Sequence, residues 1–127
     1  MEDFNLILKN LISKDIDQIY QLEVPENLKT EFEKTAEAYI KNGNFLHAIK
    51  VFILTENKEK LIETGNLCLK NNLLYKALYS FYYSESKDDL NLIGKKLLQI
   101  PDIENSLKAF RKAENKEMIK FIEENLM

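Results

Sequence analysis

The 127-residue sequence contains few of the residues that tight turns and covalent cross-links require. It has three glycines, two prolines and one cysteine, Cys68. Because β-sheet folds need many turn residues, the shortage of glycine and proline favours a helical fold. A single cysteine excludes an intrachain disulfide and any metal site built from several cysteines.

Long apolar runs and basic segments are also missing. No apolar run approaches the about eighteen residues of a membrane span, and the N-terminus, MEDFNLILKN, is acidic where a signal peptide is basic. Lysines and acids are interleaved, the net charge is −3, and Arg111 is the one arginine. Nucleic-acid binding usually needs a clustered basic surface. The sequence therefore predicts a cytoplasmic protein with neither a membrane nor a nucleic-acid partner.

The common catalytic signatures are absent from the sequence as well. It has no glycine-rich phosphate loop, no GxSxG elbow and no HExxH motif. His47 has no second histidine to work with and is predicted to lie at the surface, whereas Cys68 is predicted to be buried and inert. We therefore expect no catalytic residue, no metal site and no cofactor.

What the sequence does contain is a repeat with a period of 29 residues. Gly65 and Gly94 are separated by this distance, and the same shift aligns Phe52, Phe81 and Phe110. A fixed period between about 20 and 50 residues is typical of stacked structural repeats. Further columns match: Ala36 with Gly65 and Gly94, Ala48 with Ala77 and Ser106, and Glu56 with Glu85 and Glu114.

Each repeat divides into two helices. Asn57, Ser86 and Asn115 are predicted N-caps, because each side-chain oxygen can accept a hydrogen bond from a free amide of the first turn. The first helix then ends at KNGN (41–44), KNNL (70–73) or QIPD (99–102), and such short turns make the pair antiparallel.

The predicted fold is therefore an all-α solenoid of about nine helices in one domain. Its expected parts are N-terminal capping helices at 1–24, helix pairs at 28–56, 57–85 and 86–114, and a C-terminal capping helix at 115–126.

The order of large, small and aromatic residues resembles the tetratricopeptide repeat (TPR). The series runs Phe32, Ala36, Tyr39, Ala48, Phe52, Thr55, then Leu61, Gly65, Cys68, Ala77, Phe81, Ser84, then Leu90, Gly94, Leu97, Ser106, Phe110, Ala113. A standard unit of that family has about 34 residues, so these second helices must end more than one turn early. The resemblance implies a TPR-like right-handed superhelix.

The resemblance also implies binding of a protein or peptide on the concave face, which the first helices line. The matching residues are Glu33, Glu37, Ile40, Lys41, Ile62, Asn66, Leu69, Lys70, Asn91, Lys95 and Leu98; we call them the first-helix surface. Its apolar column (Ile40, Leu69, Leu98) either contacts the partner or packs against adjacent first helices. The family's basic carboxylate clamp is not reproduced, because Glu33 and Glu37 occupy clamp-like positions and only Asn66 matches.

Four of the six tyrosines, Tyr75, Tyr79, Tyr82 and Tyr83, lie within nine residues of one another; we call them the tyrosine edge. Tyr79 shares its column with Lys50 and Lys108, and a column that accepts lysine is at least partly solvated. The edge is therefore predicted to be a second contact surface, for a partner or another copy of the chain. The alternative is that the rings are half-buried over a neighbouring helix pair.

These observations predict a non-catalytic protein-interaction module that binds a peptide or helix on its concave face. The alternative is a structural subunit that self-assembles through the ends of the solenoid or through Tyr75, Tyr79 and Tyr82.

Overall fold

Helices make up the regular structure in the computed structural model, which describes residues 2–19 and 22–127, but not the side chains of residues 2–5 and 17. Eight helices there have ten residues or more, and no strand occurs in that part of the chain. The all-α class is thus confirmed. The helices are α1 (Glu2–Ile12), the single turn α2 (Ile16–Ile19), α3 (Glu26–Lys41), α4 (Phe45–Leu54), α5 (Lys58–Lys70), α6 (Leu74–Ser84), α7 (Lys87–Gln99), α8 (Ile103–Lys112) and α9 (Lys116–Asn125).

The N-terminal prediction covers α1 and α2, but it also includes residues 1, 20 and 21, which lie outside the described residues. Among the helices that are described, none combines the length and the apolar character needed to cross a bilayer.

The predicted turns end the first helices where expected. α3 ends at Lys41, α5 at Lys70 and α7 at Gln99. Gly43 and Asn72 adopt positive φ angles of 75° and 57°, the left-handed conformation that commonly closes a helix. The sequence signals for helix termination are confirmed at these positions.

Two of the three predicted N-caps act as expected, and the third acts differently. The Asn57 and Asn115 side-chain oxygens accept hydrogen bonds from the amides of Lys60 and Met118, both at 3.1 Å. Ser86 occupies the N-cap of α7, but its hydroxyl donates to Asp89 Oδ2 at 2.6 Å instead of accepting from an amide. The nearby carboxylate is the stronger acceptor, so it determines the orientation of the hydroxyl.

Three glutamates at the ends of second helices adopt an unusual backbone conformation. Glu56, Glu85 and Glu114 have φ angles of 56°, 60° and 57°. A residue with a Cβ pays about 1–2 kcal/mol in this region. The same conformation therefore recurs at the 29-residue spacing of the sequence repeat, although glutamate is not a residue that predicts it.

The described chain forms two compact units, residues 1–64 and 65–127, with the boundary inside α5. In the first, α3 packs on α4, and α1 and α2 also contact α4. α4 is consequently buried on most sides, through Ala48, Ile49, Val51, Phe52, Ile53 and Leu54. Lys50 Nζ donates to the carbonyl of Ile12 at 2.8 Å and so pairs a free acceptor at the end of α1.

In the second unit, residues 65–127, successive helices pack on one another. α6 contacts α7, α7 contacts α8, and α8 contacts α9. Leu107, Phe110 and Ile122 form a buried cluster, against which Leu98, Ile103, Met118 and Ile119 pack. The C-terminal helix therefore contributes Ile122, Met118 and Ile119 to this core.

Small residues in first helices receive phenylalanine rings from second helices. A Cβ on Gly94 would lie 2.8 Å from Phe110 Cζ, and a Cβ on Gly65 would meet the ring of Phe81. In each case the ring occupies the volume that a side chain would need. Ala36 and Phe52, the corresponding residues of the first unit, are also completely buried.

Candidate protein-binding surfaces

The first-helix surface of residues 1–64 is partly engaged in internal contacts. The Glu33 carboxylate accepts from Thr55 Oγ1 at 2.9 Å and from Asn57 Nδ2 at 2.8 Å. Glu37 forms an ion pair with Lys60 at 3.2 Å. Ile40 and Ile62 are half-buried and Lys41 is exposed. Glu33 therefore ties α3 to the start of α5.

In residues 65–127 the same surface is divided between internal contacts and exposed groups. Asn91 Oδ1 accepts from Asn115 Nδ2 at 2.8 Å, a link with the same residue spacing as the one from Glu33 to Asn57. Leu98 packs against the cluster of α8 and α9. The remaining positions are the half-buried Leu69 and the exposed Asn66, Lys70 and Lys95.

Two residues of the tyrosine edge, Tyr75 and Tyr79, are more accessible than the apolar column of the first helices, whereas Tyr82 and Tyr83 are half-buried. Tyr75 is 47% exposed and Tyr79 38% exposed, although both belong to a packed helix. The Tyr75 hydroxyl donates to Asp102 Oδ2 at 2.8 Å, and this hydrogen bond raises the pKa of Tyr75 above its ordinary value. The pKa of Asp102 is lowered, mainly by the hydrogen bond from the Asn105 side chain. Tyr75 is thus held in place on α6 by the N-cap residue of α8.

Further along the same helix, Tyr82 is surrounded by positive charge. Its ring centroid lies 5.1 Å from Lys108 Nζ and 4.8 Å from Lys112 Nζ, within the range of cation–π contact. The Tyr83 ring packs edge-on against Tyr82 at 5.2 Å. The ring therefore holds two ammonium groups of α8 near one point of the surface.

These groups line an open cleft of about 520 Å³, a volume within the range of known ligand clefts. Five of its six lining residues belong to α8. The lining residues are Tyr82, Glu104, Asn105, Lys108, Arg111 and Lys112; we call this the basic cleft. With three cationic residues and one acidic residue, it has a formal charge of +2.

The cations of the basic cleft differ in how they are neutralised. Arg111 Nη2 lies 3.5 Å from Glu123 Oε2 on α9. Within the described part of the chain, neither Lys108 nor Lys112 has a carboxylate within 4.0 Å. Glu104 precedes Lys108 by one helical turn without pairing with it at this distance. Lys108 and Lys112 thus share a tyrosine ring, and neither is paired with a carboxylate of the described residues.

Sequence reasoning identified the tyrosines of this site but missed its basic residues. Lys108, Arg111 and Lys112 follow Tyr79, Tyr82 and Tyr83 by one repeat period. Equivalent positions on two contacting second helices face the same side, so the alignment already contained a signal. The alignment predicts that these positions are solvated, but it does not give the distance between the aligned side chains.

The lone histidine and cysteine occupy unremarkable environments. Cys68 is buried, and burial raises the pKa of its thiol to about 11, which keeps it protonated and unreactive. His47 is half-buried, contrary to the expected surface position. Its ring lies edge-on to Tyr39 at 5.1 Å and its Nδ1 is 2.8 Å from Asn44 Nδ2. Burial, followed by the charge of Lys50, lowers the pKa of His47.

Comparison of the chain with protein-family models, with curated proteins and with solved structures finds no match.

Proposed function

We propose that this chain is a non-catalytic protein-interaction module, built from TPR-like helix pairs, that binds a peptide or helix of another protein. The observation that carries the proposal is the accessible tyrosine edge, which continues into the basic cleft. Aromatic residues and arginine are the types enriched at protein interfaces. Here they lie together on second helices that contact each other.

The recurrence of local structure at the repeat period supports the TPR-like part of the proposal. Phe52, Phe81 and Phe110 are all completely buried. The glutamates at positions 56, 85 and 114 share one left-handed conformation. The contacts of Gly65 with Phe81 and of Gly94 with Phe110 have the same residue spacing.

Of the two predicted binding surfaces, the second-helix side is favoured by the contacts. On the first-helix surface, Glu33 and Asn91 already bond to side chains of the following helix, and Leu98 packs internally. The tyrosine edge keeps two rings at least 38% exposed. A partner that binds the tyrosine edge therefore buries more aromatic surface than one that binds the first-helix surface.

Photo-crosslinking in native cells tests the interaction role and the choice of surface together. A photoreactive phenylalanine analogue at Tyr79 is expected to give covalent adducts with another protein, because this side chain lies at the centre of the edge. The matched control places the same analogue at Lys95, which is exposed on α7, the first helix of its pair. Adducts from position 95 alone would move the site to the first-helix surface, and adducts from neither would refute the module.

Self-assembly through the tyrosine edge is the second candidate, favoured by the exposure of Tyr75 and Tyr79 on one helix face. Sedimentation equilibrium over a range of concentrations separates the two functions. A monomer mass at all concentrations supports the module. A dimer that Tyr79→Arg dissociates would support the structural role instead.

A further inference from the structure

The basic cleft has a feature that its packing does not require, namely a net positive charge. Lys108 and Lys112 converge on the Tyr82 ring, and the described residues supply neither with a carboxylate within 4.0 Å. Like charges held close together repel each other, so the site is more stable when an anion lies between them.

Resting on the proposed function, we infer that the basic cleft recognises an acidic amphipathic helix of a partner protein. Its carboxylates bind Lys108, Lys112 and Arg111, while its apolar side chains cover Tyr75 and Tyr79. The two chemistries are adjacent because Tyr75, Tyr79 and Tyr82 share one face of α6, at spacings of four and three residues.

An internal contact already shows the kind of group that the cleft accepts. Glu123 of α9 places its carboxylate 3.5 Å from Arg111, with both side chains at least half exposed. Such a surface pair is weak and exchanges readily. A partner carboxylate that approaches along α8 therefore replaces Glu123 at Arg111, where the planar guanidinium offers two parallel donors.

The first unit shows how a helix covers an equivalent surface. Lys50 of α4 is one repeat period before Tyr79, and it donates to the end of α1, which packs on α4. α1 is amphipathic, with Leu8 and Ile12 buried. Within residues 1–64 the second-helix surface is thus already used to hold a helix.

The charge distribution favours a polypeptide over a nucleic acid as the source of the anions. The cleft includes Glu104, and Asp102 lies next to it at Tyr75. A phosphate backbone carries closely spaced charges and would meet both carboxylates. A helix carries its acids on one side and can leave those positions to neutral residues.

A binding titration with a designed peptide tests the inference. The probe is a fluorescein-labelled helical peptide with leucines on one face and glutamates on the other, and its control has glutamine for every glutamate. At low ionic strength we expect the glutamate peptide to bind about tenfold or more tightly, as one or two charge-assisted hydrogen bonds would produce. Equal affinities for the two peptides would overturn the inference.

Two double variants, each of which removes two positive charges, localise the effect. K108Q/K112Q is expected to weaken binding of the glutamate peptide about tenfold, whereas K96Q/K116Q, which changes two exposed lysines outside the basic cleft and the first-helix surface, is expected to leave its affinity unchanged. Equal losses in both would show general electrostatic attraction and overturn the site. Glu123→Gln frees Arg111 and is expected to tighten binding severalfold.

Other occupants give distinct results. If a single-stranded oligonucleotide binds more tightly than the peptide and K108Q/K112Q abolishes its binding, the partner is a nucleic acid and the inference fails. If K108Q/K112Q dissociates a dimer, the occupant is a second copy, and the inference also fails. Crosslinked adducts at Tyr79 together with equal peptide affinities would leave the module intact and refute only the acidic partner.

Discussion

The outer surfaces of α4 and α6 are equivalent in the repeat but differ in what covers them. In residues 1–64, α1 and α2 pack on α4, Ile53 is buried, and Lys50 bonds to the end of α1. In residues 65–127, the matching positions are Tyr82, which is half-buried, and Tyr79, which is 38% exposed. A surface that the first unit covers with its own helices is thus left open in the second.

This difference shows that one type of helix pair can keep the same buried core and present different outer residues. In the core of both pairs, Phe52 and Phe81 are completely buried. The outer contacts are free to vary, since they lie on the opposite side of the second helix. The tyrosine edge is therefore a change of outer residues on a preserved core.

The largest expected effect tests whether the cores of the two units are equivalent. Phe52→Ala and Phe81→Ala should each lower the free energy of unfolding by about 3–5 kcal/mol, because each removes a fully buried ring and leaves a cavity. Urea denaturation followed by circular dichroism measures both. Tyr79→Ala, which truncates an exposed ring of the same helix as Phe81, is the control and should cost far less. A small loss for only one phenylalanine would break the equivalence.

The next effect concerns the contact of glycine with phenylalanine. Gly94→Ala should destabilise the protein by about 1–3 kcal/mol, because the new methyl group would lie 2.8 Å from the Phe110 ring. Alanine at an ordinary helical position is instead favourable relative to glycine. Thermal unfolding of the single variant and of Gly94→Ala with Phe110→Leu tests the cause. If the smaller residue at 110 rescued nothing, the steric explanation would be wrong.

A smaller effect is expected from the hydrogen bonds that join a first helix to the N-cap of the following helix pair. Glu33→Ala should cost about 1–2 kcal/mol, because it leaves the Thr55 hydroxyl and the Asn57 amide without their charged acceptor. The matched control Glu37→Ala removes an exposed ion pair and should change stability by about 0.5 kcal/mol or less. Chemical denaturation of both variants provides the test, and equal losses would contradict the structural role of Glu33.

The smallest effect is a gain. Glu56→Gly should stabilise the protein by about 0.5–1 kcal/mol, since glycine adopts the φ of 56° without strain and this relief outweighs its greater freedom when unfolded. Glu59→Gly, three residues later in the first turn of α5, should destabilise it by about 1 kcal/mol. Differential scanning calorimetry of the pair detects the opposite signs. A shift of the same sign in both would exclude backbone strain at Glu56.

Much of the local structure could be predicted because it depends on residues near in sequence. The ends of the first helices follow from Gly43 and Asn72, and burial of Phe81 follows from its column. The left-handed glutamates could not be predicted, since their conformation opposes the preference of the residue. The non-periodic N-terminal residues gave no signal for the bond from Lys50 to Ile12.

The candidate site was predictable only in part for a similar reason. Exposure of Tyr79 followed from its alignment with lysines. The approach of Lys108 and Lys112 to Tyr82 depends on the distance between α6 and α8, which no local pattern specifies. The hydrogen bond from Asn57 to Glu33 could likewise not be predicted, because it depends on where the N-cap of α5 lies relative to α3.

The contact of glycine with phenylalanine also has an evolutionary consequence. Position 94 cannot acquire a side chain while position 110 keeps a full ring, so the two sites cannot drift independently. In descendants of this sequence, replacements at 94 should be inherited together with smaller residues at 110, and replacements at 65 with smaller residues at 81. Such covariation between sites sixteen residues apart would record the geometry of each helix pair.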